Sequence, residues 1–241
     1  KCPGAARTAV DYAQISDEDK RKIAGGNLVR LLKGQGPKTT APVTRTDDPI
    51  LVDAREGKPL SVPVTDAHAH VLHEGGQTCG QRYMHEGDAA GMLEVNHWCG
   101  IDRIAMMSWN GPVCSDAVDG NEIVWRAMQR FGDEIIGAVS IDPSHMSQEE
   151  IAAEIQLRHL DQGFVGMKPY HQTGLFYDND LYTQWWEFGN AHKLYALIHT
   201  AAYTGGLPCV QRLAEQYPEV SWLVAHSGMS WGYAVDVAEL V

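Results

Sequence analysis

Val62-Pro63-Val64-Thr65-Asp66-Ala67-His68-Ala69-His70 runs from a short apolar stretch into two histidines separated by one residue. In an extended strand, side chains two apart share a face, so His68 and His70 can reach one metal ion. Neutral imidazole suits zinc and other first-row divalent ions. A catalytic zinc site usually takes three protein ligands and leaves a position open for water. The pair is therefore half a site, and its other ligands have to come from elsewhere in the chain.

Working outward, apolar runs alternate with amphipathic stretches from residue 61 onward. A helix is expected from Gly87 to Trp98, then a strand at Asp102 to Met107, a helix from about Asn121 to Phe131 and a strand at Ile135 to Ile141. Ser147 followed by Glu150 is a capping-box signature, and Ile151, Ile155 and Leu160 supply the apolar stripe of the next helix. Strands at Phe164 to Lys168, Leu194 to His199 and Ser221 to His226 complete the series, with helices at Leu181 to Ala191 and Leu207 to Gln216 between them. Six strands alternating with helices imply parallel strands joined by crossovers. His68 and His70, Lys168, His199 and His226 all stand where a strand gives way to a loop. Polar residues at the C-terminal ends of several strands mark a barrel active site. A dinucleotide-binding sheet would instead open with a glycine-rich turn, and Val71-Leu72-His73 is not one. The expected fold is α/β, a (β/α)₈ TIM-type barrel.

Composition narrows the ligand. With 241 residues and 44% hydrophobic content, the chain can bury a substantial core. Its formal charge of −12, without clustered Lys and Arg, argues against nucleic acid and anionic membrane as partners and favours a small-molecule substrate. No run reaches transmembrane length and the first thirty residues carry no apolar signal segment, so a cytoplasmic setting is expected. Cys2, Cys79, Cys99, Cys114 and Cys209 are odd in number and scattered, which suits reduced thiols.

Thr65-Asp66-Ala67-His68-Ala69-His70, Gly163-Phe164-Val165-Gly166-Met167-Lys168-Pro169, Leu197-Ile198-His199-Thr200 and Val224-Ala225-His226-Ser227-Gly228 resemble, in order and approximate spacing, the amidohydrolase superfamily. The likeness is to the amidohydrolase-related group that includes 2-amino-3-carboxymuconate semialdehyde decarboxylase and several lactone and acyl hydrolases, and it covers about residues 61–241. It implies that His68, His70 and His199 hold a divalent metal, zinc by preference, that His226 is a catalytic or supporting histidine, and that an Asp after the eighth strand completes the site. It further implies attack by metal-activated water on an amide, lactone or ester carbonyl, or decarboxylation at the same site. Lys168, His171 and Trp109 are the candidate substrate contacts. For Lys168 a carboxylated form bridging two ions is the alternative, and for His171 a solvated loop position. His73, His85, His97, His145, His159 and His192 are read as surface or capping residues, and Trp185-Trp186 as core.

The resemblance also sets expectations for organisation. Six of eight βα units fall within the sequence, so the barrel is expected to be incomplete, and neither Asp236 nor Glu239 stands at a strand end to serve as the missing Asp. Residues 1–33, chiefly Ile15 to Leu32, resemble the helical closing segment of such a barrel, with Ser16 as N-cap. Residues 34–60, rich in Gly and Pro, read as linker. Two accounts are open: a tandem protein divided between two barrels, or a permuted order in which another segment supplies the last strands. Either leads to an expected homo-oligomer or association with that segment, and leaves a non-catalytic piece as the competing reading. A TatD-type deoxyribonuclease would need a carboxylate where Lys168 stands.

Overall fold

The computed structural model describes residues 14–23, 33, 48–56, 58, 60–79, 84–111, 116–169, 175–201, 204–229 and 231–238. Two short helices, α1 (Asp17–Arg21) and α2 (Pro49–Glu56), precede the first strand, β1 (Thr65–Val71). A hairpin follows, β2 (Gln77–Cys79) and β3 (Met84–Glu86), and then the alternation begins: α3 (Ala89–Trp98), β4 (Arg103–Ser108), α4 (Ala117–Phe131), β5 (Ile135–Val139), α5 (Gln148–Glu154), β6 (Gly166–Met167), α6 (Thr183–Ala191), β7 (Tyr195–Ile198), α7 (Gly206–Gln216), β8 (Ser221–Val224) and α8 (Trp231–Ala238). β1, β4, β5, β6, β7 and β8 pair in that order, every pair parallel, and form a curled half-barrel. The expected α/β architecture with six barrel strands is present.

Helices cover the outer face of the sheet, and its middle strands, buried along most of their length, read as nearly continuous apolar runs. On the outer face Val71, Ile104, Met106, Val139, Met167 and Ile198 pack against the helices. The inner face carries a smaller cluster of Met107, Ala138, Leu197 and Ala225, with Tyr195 against it. Tyr195 also explains Gly166: a β-carbon there would coincide with the tyrosine ring. Trp185 and Trp186 are fully buried core residues, as expected.

Local chemistry accounts for the helix starts. Asp88 accepts from Gly91 N–H, Asp116 from Asp119 N–H, and Ser147 with Glu150 forms the reciprocal capping box. α5 then continues as a π-helical stretch, Ile155–Asp161.

Several expectations need correction. α2 lies inside the segment read as linker: Asp48 accepts the Ile50 N–H at 2.9 Å and Pro49 takes the first helical position, where its missing N–H costs nothing. Most of the rest of that segment, and most of residues 1–33, lie outside the described residues, although Ser16 does cap α1. The strand expected at Phe164 to Lys168 is reduced to Gly166–Met167. His159 is buried and not a surface or capping residue: its Nδ1 donates to the Phe164 carbonyl at 2.9 Å and its Nε2 accepts from Trp185 Nε1 at 3.0 Å. Among the described residues no helix is long and apolar enough to cross a membrane.

Candidate functional site

Alternation along β1 buries Ala69 and Val71 beneath the helices and turns His68 and His70 to the other face. Their Nε2 atoms converge to 3.2 Å. The β1–β4 register slips between Asp66 and Ala69, so β1 carries one residue more than its partner there. The Asp66 carboxylate accepts the His68 N–H at 3.0 Å at that irregularity, tying the strand end that presents both rings.

His199 follows β7 directly. Its carbonyl accepts from Tyr177 Oη at 3.1 Å and from Thr204 Oγ1 at 3.3 Å, and Tyr177 is itself fixed by Trp186 Nε1 donating to its carbonyl at 2.7 Å. His226 does not end a strand, as the sequence reading had it. β8 stops at Val224, and His226 lies in a left-handed turn, with φ of 46° at His226, 47° at Ser227 and 78° at Gly228. Only the glycine adopts such a conformation freely; at the other two it is strained by about 1 kcal/mol or more each. The turn places the His226 ring 5.1 Å from His68 and 5.1 Å from His199, centroid to centroid, so that it stands between them. Trp109, just beyond β4, sets its ring edgewise to His70 at 4.4 Å.

Lys168 is 1% exposed, immediately after β6. Burial lowers its amine to about 8. Its charge reaches the imidazoles: His68 and His199 are both lowered to about 4, first by burial and then by Lys168, and His226 is lowered by the same two causes. At neutral pH these three rings are neutral, which is the form that ligates metals.

Two nitrogens bound at 2.0–2.1 Å to a tetrahedral ion lie about 3.3 Å apart. The 3.2 Å between His68 Nε2 and His70 Nε2 fits that edge. Among the described residues no three His, Cys, Asp or Glu side chains close on a single point, and Asp236 is exposed on α8. The donor set present is thus a convergent pair with two further imidazoles beside it. His171 lies outside the described residues. A cleft of about 740 Å³ opens between β1 and β8, with His68, Leu197, Trp222, Leu223, His226 and Val237 in its wall. That size suits a small-molecule ligand.

Sequence reasoning missed the supports. Asp66 stood in the quoted motif without a role, and Tyr177 and Thr204 reach His199 from a loop and a helix start that no periodicity connects to it.

Comparison with known proteins follows the same lines. A family model described as Amidohydrolase matches residues 35–240. A TIM-barrel protein from Bordetella bronchiseptica superposes with a TM-score of 0.56 at 13% identity, over 74% of this chain and 71% of that one. 2,6-Dihydroxybenzoate decarboxylase from Rhizobium gives 0.55 at 15% identity over 71% and 68%, and 5-carboxyvanillate decarboxylase LigW from Sphingomonas paucimobilis gives 0.53 at 14% over 70% and 68%. At these identities the likeness is one of fold. No curated protein matches the chain in sequence.

Proposed function

The chain belongs to the amidohydrolase family, and on that premise we propose that it carries the ligand-bearing part of a metal-dependent hydrolase acting on a small molecule. The observation that carries this reading is the convergence of His68 and His70 Nε2 at 3.2 Å, with the His199 and His226 rings beside them. His68, His70 and His199 would hold a divalent ion, zinc by the nitrogen-rich donor set. When bound, such an ion polarises a carbonyl and makes hydroxide available near neutral pH.

The protein's own residues have distinct tasks. Burial and the Lys168 charge keep His68 and His199 unprotonated, so their lone pairs are free at neutral pH. His226, between them, donates to the oxyanion that develops as an amide, lactone or ester carbonyl is attacked. Trp109 and Lys168 contact the substrate, the first through its ring face and the second through its charge.

Lys168 also favours a second reading. A buried amine whose surroundings are imidazoles suits a carboxylate on the substrate, the arrangement a decarboxylase would use. Two of the fold neighbours are decarboxylases of aromatic acids, although fold likeness does not carry a reaction across.

Metal analysis tests the proposal. The full polypeptide should take up zinc, His68→Ala and His199→Ala should lose it, and His226→Ala should keep it while losing turnover. Retention of zinc by His199→Ala would remove that residue from the ligand set.

A further inference from the structure

Outside the barrel, a chain of buried polar groups ends on the backbone of the site. Asn121, on α4 and 1% exposed, accepts the Ser140 N–H on Oδ1 at 2.8 Å and donates from Nδ2 to the Ser140 carbonyl at 2.9 Å. The same Nδ2 donates to Glu154 Oε2 at 3.0 Å. Glu154 in turn accepts from Arg158 Nε at 2.9 Å, and Arg158 Nη1 donates to Glu122 at 3.1 Å and to Gln162 at 2.9 Å. Arg158 is 3% exposed.

Buried ion pairs of this kind are weak stabilisers, because desolvation offsets most of their attraction. What this one supports is positional. β5 ends at Val139, so Ser140 is the first residue whose N–H and C=O lie beyond the strand ladder, and Asn121 takes up both. One residue back, the Val139 carbonyl accepts the Lys168 N–H at 2.7 Å. β6 has only two residues, so Lys168 already lies past its own strand and leans on the end of β5. Gly111 closes over the same point, where a β-carbon would meet Ser140 Cβ at 2.9 Å.

We infer that Asn121 is a positioning residue for the reaction. Its side-chain amide clamps the end of β5 and through it sets the height of Lys168 in the barrel. The inference rests on the reading of Lys168 as the substrate-facing cation, but the clamp itself can be tested without a substrate. The Asn121 contribution is separable from the ion pair behind it: Glu154→Gln removes the Arg158 charge pairing and leaves the amide on Ser140, whereas Asn121→Ser removes both bonds to Ser140.

Amide hydrogen exchange, residue by residue, is the test. In the wild-type chain the Ser140 and Lys168 amides should be protected to within about tenfold of the Ile198 amide in β7. In Asn121→Ser both should exchange at least tenfold faster while Ile198 does not change, and Glu154→Gln should leave Ser140 and Lys168 protected even though it melts earlier. Zinc affinity should shift in Asn121→Ser, because Lys168 bears on the metal-binding imidazoles, and should match wild type in Glu154→Gln. An unprotected Ser140 amide in the wild-type chain, or equal acceleration in both variants, would overturn the inference. Should Asn121→Ser not fold, Asn121→Thr, closer in volume and unable to reach both Ser140 groups, takes its place, and unchanged Ser140 and Lys168 exchange in it would overturn the inference. A chain that binds no zinc but shows this exchange pattern would count against the proposed function and leave the clamp standing.

Discussion

His159 shows how a single ring can tie stability to pH. Its tautomer is fixed from both sides, Nδ1 donating to the Phe164 carbonyl and Nε2 accepting from Trp185. Burial holds the ring at about 4, against 6.5 for an ordinary histidine, and the Phe164 bond only partly offsets this. The unfolded chain therefore binds a proton that the folded one refuses between those two values. His159 leaves stability intact above pH 6.5 and lowers it progressively as pH falls toward 4, by about 3 kcal/mol in all. Urea unfolding of His159→Gln should show a shallower acid loss than wild type over that window, with some stability given up at pH 7. Parallel curves would assign the acid sensitivity to other groups. Lys168 supports a second prediction at this scale. A buried ammonium beside a divalent ion opposes metal uptake. Lys168→Met should bind zinc at least about tenfold more tightly while weakening substrate binding, as measured by competition with a metal chelator and by KM. The placement of the candidate site's residues is legible in the sequence, because His68, His70, Lys168 and His199 sit where strand periodicity runs out. His226 is expected at a strand end and stands instead in a turn, since nothing in Ala225-His226-Ser227 announces a left-handed backbone.

At the scale of elements, short-range chemistry explains both what could be read and what could not. The start of α5 was evident because Ser147 and Glu150 satisfy each other's backbone donors within four residues. Ser147→Ala should cost about 1 kcal/mol, read as a fall in melting temperature of about 2–4 °C for a chain of this size. A larger loss would mean that Ser147 does more than cap. β6 was overestimated for the opposite reason. Phe164 and Val165 have strand character, but the Phe164 N–H is drawn to the Arg158 carbonyl at 3.0 Å, so that residue serves the end of the π-helical stretch and not the sheet. The β2–β3 hairpin went unseen because each arm has three residues, too few for an alternation to register. α2 is hidden by the Gly and Pro residues of a stretch that reads as linker, one of which, Pro49, starts the helix.

At the scale of the whole molecule, counting strands was enough to anticipate an arc with two ends, and β1 and β8 are those ends among the described residues. Such edges offer unpaired N–H and C=O groups to any neighbouring strand. Between them lies the 740 Å³ cleft with Leu223, 38% exposed, in its wall. Two forces then compete in solution. The edges and the apolar cleft favour association, and a formal charge of −12 on each chain opposes it. Salt weakens the second without touching the first, since the Debye length falls from about 30 Å at 0.01 M to about 10 Å at 0.1 M. Sedimentation velocity should therefore find a mass near 26.5 kDa at low ionic strength and a larger average mass as salt is added. That order is the reverse of what a dimer held by ion pairs would show. Leu223→Lys places a charge in the cleft and should return the high-salt sample toward monomer with little change in melting temperature. A chain that stays monomeric at every salt concentration, with the variant indistinguishable, would mean that the edges are already covered from within the polypeptide. The association prediction would then fail, and the cleft would be a closed part of the barrel and no longer a surface.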